Sequence, residues 1–181
     1  MQISVIGLGY VGCVAAAGLA AAGHNVTGID IDAEKVRTYT NNIVPMYEPG
    51  LSDLIHTSVK EGNLRFLHTD ESAHSIGDVV LITTGTPPTE TGSADLSQVK
   101  SALEWVTKRH SGPGVAVMKS TVPPGTGVRL QQGSLHDTQL KYVANPEFLQ
   151  EGQSLHDWFN PDRIVIGSND NEAADLVKSL Y

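Results

Sequence analysis

An apolar strand, Gln2-Ile3-Ser4-Val5-Ile6, runs directly into Gly7-Leu8-Gly9-Tyr10-Val11-Gly12 and then into an alanine-rich, uncharged helix. A G-x-G-x-x-G turn between strand and helix restricts the chain to a small set of α/β folds. Gly7 allows the tight turn, Gly9 lets backbone approach a pyrophosphate, and Gly12 lets the helix lie close on its strand. Phosphates then meet free backbone N–H groups at a helix N-terminus. A second strand, Asn25–Ile29, ends in Asp30, roughly 20 residues on, where a carboxylate takes ribose hydroxyls. An aspartate there repels a 2′-phosphate and favours NAD over NADP, although Lys35 and Arg37 stand near enough in sequence to soften that preference. The plainer reading is an α/β turn with glycines kept for packing and a polar residue closing a strand.

Short β-branched runs recur between helical patterns. The expected strands are Gln2–Ile6, Asn25–Ile29, Leu64–Leu67, Val79–Thr83, Val115–Met118, Tyr142–Ala144 and Arg163–Ile166. The expected helices are Tyr10–Ala22, Ala33–Asn41, Leu51–Glu61, Asp70–Ser75, Ser97–Arg109 and a weaker one near Gly127–Leu135. Such alternation predicts a doubly wound, mostly parallel sheet of the Rossmann type. Two long linkers, Thr84–Asp95 and Asn145–Asp162, each follow a strand, so both open on the carboxyl edge where such sheets bind ligands. The last segment has Asn169 as a cap, Glu172 three residues on, and Ala173, Leu176, Val177 and Leu180 on one helical face. Because the pattern stops at Tyr181 without a stop signal, a piece of a longer protein is expected, with a short terminal helix as the alternative.

At 181 residues and 40% hydrophobic content, the chain supports one domain over residues 1–181. A formal net charge of −8 without clustered Lys and Arg argues against a nucleic-acid surface. Cys13 is the only cysteine, the N-terminus lacks a basic leader, and the apolar stretches fall short of a membrane span. A cytoplasmic location is expected. The seven histidines show no metal-ligand spacing, so no metal site is expected.

Three further segments each admit two readings. Lys119-Ser120-Thr121 places an ammonium and two hydroxyls at the sheet's edge, able to hold a nicotinamide, a ribose or a water, or else forms a Ser/Thr turn before Pro123-Pro124-Gly125. Asn145-Pro146-Glu147 reads as a helix start. If that helix continues, Glu147 and Glu151 share a face, where two carboxylates can separate their pKa values and act as base and hydrogen-bond partner. Arg163 pairs with Asp162 or reaches a substrate phosphate.

Read in order, several motifs resemble the N-terminal domain of the UDP-glucose 6-dehydrogenase family, one of the nucleotide-sugar dehydrogenases. They are the glycine loop, Tyr47-Glu48-Pro49-Gly50-Leu51, Gly85-Thr86-Pro87, Ala94-Asp95-Leu96, Lys119-Ser120-Thr121-Val122-Pro123, Asn145-Pro146-Glu147-Phe148-Leu149 with Glu151-Gly152, and Pro161-Asp162-Arg163. The resemblance implies NAD bound by Gly7, Gly9, Tyr10, Val11, Gly12, Asp30, Lys35, Thr84, Gly85, Thr86, Pro87, Thr121 and Glu151. It implies catalytic roles for Thr121 and Glu147, and a nucleotide-sugar contact through Glu147, Phe148, Leu149 and Glu151. Where the family often has Thr-Pro-Thr, this chain has Thr86-Pro87-Pro88, with one hydroxyl fewer. Such enzymes serve polysaccharide biosynthesis, oxidising a primary alcohol to a carboxylate in two hydride transfers to NAD through a thiohemiacetal and a thioester on a cysteine. In that scheme Glu147 acts as base and Thr121 positions the water. The family's catalytic cysteine, its substrate lysine and asparagine, its C-terminal domain and its dimer-forming central helix have no counterpart here, so the chain alone is expected to be inactive. Phe148, Glu151 and Gly152 lean toward UDP-glucose over GDP-mannose or a UDP-N-acetylhexosamine. A non-catalytic NAD-sensing module is the alternative of a different class.

Overall fold

Side chains alternate along the central strands, so those strands feed two cores. In the computed structural model, which describes residues 1–71 and 76–181, Ile3, Val79, Leu81, Val115 and Val117 enter one core, while Ile6, Val80, Ile82, Ala116 and Met118 enter the other. The strands are β1 (Gln2–Ile6), β2 (Asn25–Asp30), β3 (Leu64–His68), β4 (Val79–Ile82), β5 (Gly114–Met118) and β6 (Leu140–Ala144). They form a six-stranded sheet in the order β3-β2-β1-β4-β5-β6, and every pairing is parallel. The expected Rossmann-type architecture is therefore what the chain adopts, with no antiparallel strand in the sheet.

The helices are α1 (Tyr10–Ala21), α2 (Ala33–Thr40), α3 (Leu51–Lys60), α4 (Ser97–Thr107), α5 (Thr126–Gln132), α6 (Ser154–Phe159) and α7 (Asn171–Lys178). Side chains of α1, α2, α3, α6 and α7 join the first core, and those of α4 and α5 join the second. Residues Gly12 to Ala20 of α1 are all buried, so this helix, rich in alanine and glycine, is covered all round. A Cβ on Gly18 would stand 2.1 Å from the Trp158 ring nitrogen, so α6 packs directly onto α1 there.

Three expectations are corrected, and a fourth is refined in its bounds. Arg163–Ile166 is not a strand; Ile164 and Val165 are exposed, and the backbone pairs with β6 just beyond it, in an isolated antiparallel bridge between Ala144 and Gly167. No helix starts at Asn145, because its side chain is engaged elsewhere: Oδ1 accepts from Lys119 and Tyr181 and Nδ2 donates to the Val165 carbonyl. Asp170, not Asn169, caps α7, its carboxylate accepting the Ala173 N–H at 3.0 Å. The helix near Gly127–Leu135 runs from Thr126 to Gln132. Of the helix expected over Asp70–Ser75, Asp70 and Glu71 form a turn and residues 72–75 lie outside the described residues. Among the described residues no helix is long and apolar enough to cross a membrane.

Candidate functional site

The chain leaves β1 toward β2 on one side of the sheet and later returns to place β4 on the other side of β1. The loops after β1 and β4 therefore diverge, opening the crevice in which doubly wound sheets take ligands. A cleft of about 580 Å³ lies there, lined by Gly7, Gly9, Asp30, Lys35, Thr84 and Gly85 among others. Gly7 has φ +99°, a left-handed backbone that a side chain disfavours, and its amide donates to the Ile29 carbonyl at 2.8 Å. Thr83 Oγ1 donates to the carbonyls of Ile6 and Gly7, tying the glycine loop to the end of β4.

The two remaining loop glycines differ sharply. A Cβ on Gly12 would sit 1.9 Å from the Gly7 carbonyl oxygen, so that position is closed by the fold itself. A Cβ on Gly9 would meet nothing within 4 Å, although Gly9 has an ordinary extended conformation at φ −70° and ψ −167°. The fold itself does not need a glycine at this position, and the space in front of it is open. Gly9 caps α1 without a side chain, leaving the first-turn N–H groups uncapped beside that open approach. Thr84 Oγ1 is a buried hydroxyl with no hydrogen-bond partner among the described residues, an unmet donor in the cleft wall.

Asp30 ends β2 almost fully buried, with Oδ2 accepting the Leu8 N–H at 2.7 Å and the Lys35 ammonium at 3.0 Å, and Oδ1 accepting the Asp32 N–H at 2.9 Å. Lys35 is thus committed to Asp30, and Arg37 to Glu34. The two cations that softened the NAD preference in the sequence both have carboxylate partners. These residues fit an adenine dinucleotide: amides for the pyrophosphate, a carboxylate for the ribose, and space for backbone contact.

A second cavity of about 250 Å³ lies among the loops after β5 and β6, lined by Lys119, Asn145, Glu147, Phe148 and Leu149 among others. The Glu147 carboxylate accepts the Leu149 N–H at 2.6 Å in a tight local turn, and Arg163 stacks over the Phe148 ring at 4.3 Å instead of pairing with Asp162. Thr86 Oγ1 donates to the Thr121 carbonyl at 2.9 Å, joining the two loops that carry them. Ser120 Oγ donates to the carbonyls of Ile82 and Thr84, so that hydroxyl is a structural tie.

Lys119 points inward, contrary to the ammonium at the sheet's edge that the sequence suggested. It is 4% exposed, donates to Asn145 Oδ1 at 3.2 Å and to the Tyr181 hydroxyl at 2.9 Å, and lies 5.4 Å from the centres of the Trp158 and Tyr181 rings. Burial lowers its pKa to about 8, against an opposing pull from Glu147. His156, Asp157, Asp162 and Arg163 also line its cavity. Below pH 8 the fold carries the cost of a buried ammonium. Between pH 8 and the ordinary lysine pKa near 10.4 the folded chain has released a proton that the unfolded chain still holds, so stability rises with pH. We expect the wild-type chain to gain about 1 kcal/mol between pH 8 and pH 9 relative to Lys119→Met, measured by urea unfolding. Parallel pH profiles for the two proteins would refute this assignment.

The expected site residues thus fall into distinct places. Gly7, Gly9, Asp30, Lys35, Thr84 and Gly85 line the dinucleotide cleft, with Tyr10, Val11 and Gly12 forming the first turn of α1 beside it. Glu147, Phe148 and Leu149 line the second cavity. Thr86, Pro87, Thr121 and Glu151 line neither, and Glu151 lies exposed on a turn. Sequence reasoning missed the far wall of the cleft, which Ser97, Gln98, Ser101 and Trp105 of α4 supply. Their helical spacing was visible, but polar residues on one face of a helix read as a solvent face until the fold places them. Cys13 is fully buried, and burial raises its thiol pKa to about 11, so it packs and does not attack.

Comparison with known proteins agrees with this geometry. The family model described as "UDP-glucose/GDP-mannose dehydrogenase family, NAD binding domain" matches residues 1–181. The UDP-glucose 6-dehydrogenase TuaD of Bacillus subtilis is 41% identical over 99% of this chain, which spans 40% of that protein's length. A UDP-glucose dehydrogenase structure from Pyrobaculum islandicum superposes with TM-score 0.89 at 38% identity, covering 99% of this chain and 43% of the other. A ternary complex of GDP-mannose dehydrogenase from Pseudomonas aeruginosa superposes with TM-score 0.90 at 31% identity, covering all of this chain and 44% of the other. With its dinucleotide cleft at the strand-order reversal and its whole length matched, the chain belongs to the UDP-glucose/GDP-mannose dehydrogenase family, as its NAD-binding domain.

Proposed function

We propose that the chain is the NAD-binding part of a UDP-glucose 6-dehydrogenase, with residues 1–181 acting as one domain. The carrying observation is the open approach to Gly9 beside the uncapped amides of α1, next to a buried Asp30 whose neighbouring lysine is already paired. Relatives named UDP-glucose 6-dehydrogenase at 41% and 38% identity favour the glucose nucleotide over GDP-mannose, for which the solved relative is 31% identical.

In this reading, the Gly9 to Gly12 amides hold the pyrophosphate, Asp30 accepts from the adenosine ribose, and Lys35 holds the Asp30 carboxylate in place. Thr84, Gly85, Thr86 and Pro87 border the nicotinamide half, together with Thr121 and Glu151. Bound NAD supplies the hydride acceptor. Glu147 holds the Leu149 N–H on Oε2, while Oε1, without a hydrogen bond among the described residues, takes a proton from a substrate hydroxyl or a water. Thr121 positions that water, and Phe148 and Leu149 flank the sugar nucleotide. No thiol nucleophile is available within these residues, because the one cysteine, Cys13, is enclosed by the core.

The 181-residue chain is expected to bind NADH at least tenfold more tightly than NADPH and to produce no NADH from UDP-glucose and NAD. Fluorescence titration tests the first outcome and absorbance at 340 nm the second. Equal affinity for the two cofactors would remove the role given to Asp30. Sugar-dependent turnover would show that the nucleophile lies within these residues after all. The full-length protein, assayed on a panel of nucleotide sugars, separates UDP-glucose from GDP-mannose and UDP-N-acetylhexosamines; preference for either alternative overturns the substrate assignment.

A further inference from the structure

Glu48 belongs to the Tyr47–Leu51 motif, and neither cavity includes it. Yet it is only 7% exposed and has no cation beside it among the described residues. A buried carboxylate is costly unless donors surround it. Here they come from two distant parts of the chain. The Tyr10 hydroxyl, on the first residue of α1, donates to Oε2. Gly152 N–H, immediately after Glu151, reaches both Tyr10 Oη at 2.7 Å and Glu48 Oε2 at 3.1 Å. Leu155 N–H, in the first turn of α6, donates to Oε1 at 3.1 Å. The residue before α6, Gln153, makes no side-chain cap, so Glu48 does that work from more than a hundred positions away. Its own backbone is anchored too: the Glu48 carbonyl accepts Leu51 N–H at the start of α3.

We propose that Glu48 is a positioning residue that fastens the first turn of the phosphate-binding helix to the Glu151–Leu155 turn, so that occupation of the dinucleotide cleft stabilises the substrate-side loop. This rests on the NAD reading of the cleft. Tyr10 provides the link: its backbone begins the turn whose amides face the pyrophosphate, and its hydroxyl holds Glu48 and Gly152. Opening the bonds to Gly152 and Leu155 displaces Tyr10, which disturbs the phosphate site. A ligand on that site therefore opposes the opening.

Amide hydrogen exchange on the full 181-residue chain tests the linkage, with NADH binding followed independently by fluorescence. At NADH tenfold above its Kd, the Gly152 and Leu155 amides are expected to exchange up to about tenfold more slowly, the factor that linkage gives for full coupling. In Glu48→Gln and in Tyr10→Phe, each studied at tenfold its own Kd, the slowing falls below about twofold. Tyr10→Phe keeps the Glu48 bonds to the 150–155 turn and cuts only the connection to α1, so it supplies the test if Glu48→Gln folds poorly. NADH binding without slower exchange at these amides, or equal slowing in Tyr10→Phe, overturns the proposal and leaves the NAD reading intact. Absence of any NADH binding by the folded wild-type chain overturns both.

Discussion

Gly9→Val is expected to lower NADH affinity on the order of a hundredfold while leaving the chain folded. The fold tolerates the change: Gly9 has an ordinary extended conformation and a Cβ there meets nothing within 4 Å. Losing glycine at a helix cap costs at most about 1 kcal/mol. Binding does not tolerate it, because two methyl groups would occupy the space through which a pyrophosphate reaches the α1 amides. Each charge-assisted hydrogen bond lost there is worth about 1.5–3 kcal/mol, so losing one or two gives the stated factor. Fluorescence titration reads the affinity and thermal unfolding reads the fold. Unchanged affinity in the variant would mean that the phosphates do not lie at Gly9.

Gly12→Ala, three residues on, is expected to act through the fold instead. Its methyl group would stand 1.9 Å from the Gly7 carbonyl oxygen and 2.7 Å from Thr83 Oγ1, and the nearer obstacle is backbone. Accommodation requires α1 to lift from β1, where Cys13, Val14 and Ala17 are packed with exposures of 0%. Overpacking of this kind costs about 3 kcal/mol, which for a chain of this size lowers the melting temperature by roughly 10 °C. NADH binding weakens as a consequence, since the loop bends with the helix. A melting temperature within about 2 °C of wild type would refute the close approach of helix and strand. The two variants separate what one motif combines, a glycine required by the ligand and a glycine required by the packing.

Much of this site was legible before the fold was known, for identifiable reasons. Strand–helix alternation and the glycine spacing are local patterns, and the parallel sheet follows from them because β1, β2, β4 and β5 are each succeeded by a helix that must cross a face. Asp30 was legible because its distance from the loop is set by one βαβ unit. What failed depended on partners distant in sequence. Ile164-Val165-Ile166 has the composition of a strand, but Ile164 and Val165 are exposed and the backbone pairs with β6 only beyond the segment, at the isolated Ala144–Gly167 bridge. Asn145 has the local signature of a cap, but Lys119, Tyr181 and Val165 take its side chain. Glu48 carried no chemical signal at all, since its importance comes from Tyr10, Gly152 and Leu155 converging on it.

The most direct measurement is a titration of NAD into the isotope-labelled 181-residue chain, followed by the chemical shifts of its backbone amides. Saturable shifts are expected, concentrated at Gly7 to Cys13 and Asp30 to Asp32, at submillimolar to millimolar ligand, and absent in Gly9→Val. A dispersed spectrum of a folded chain whose amides in those two segments do not respond to millimolar NAD would contradict it.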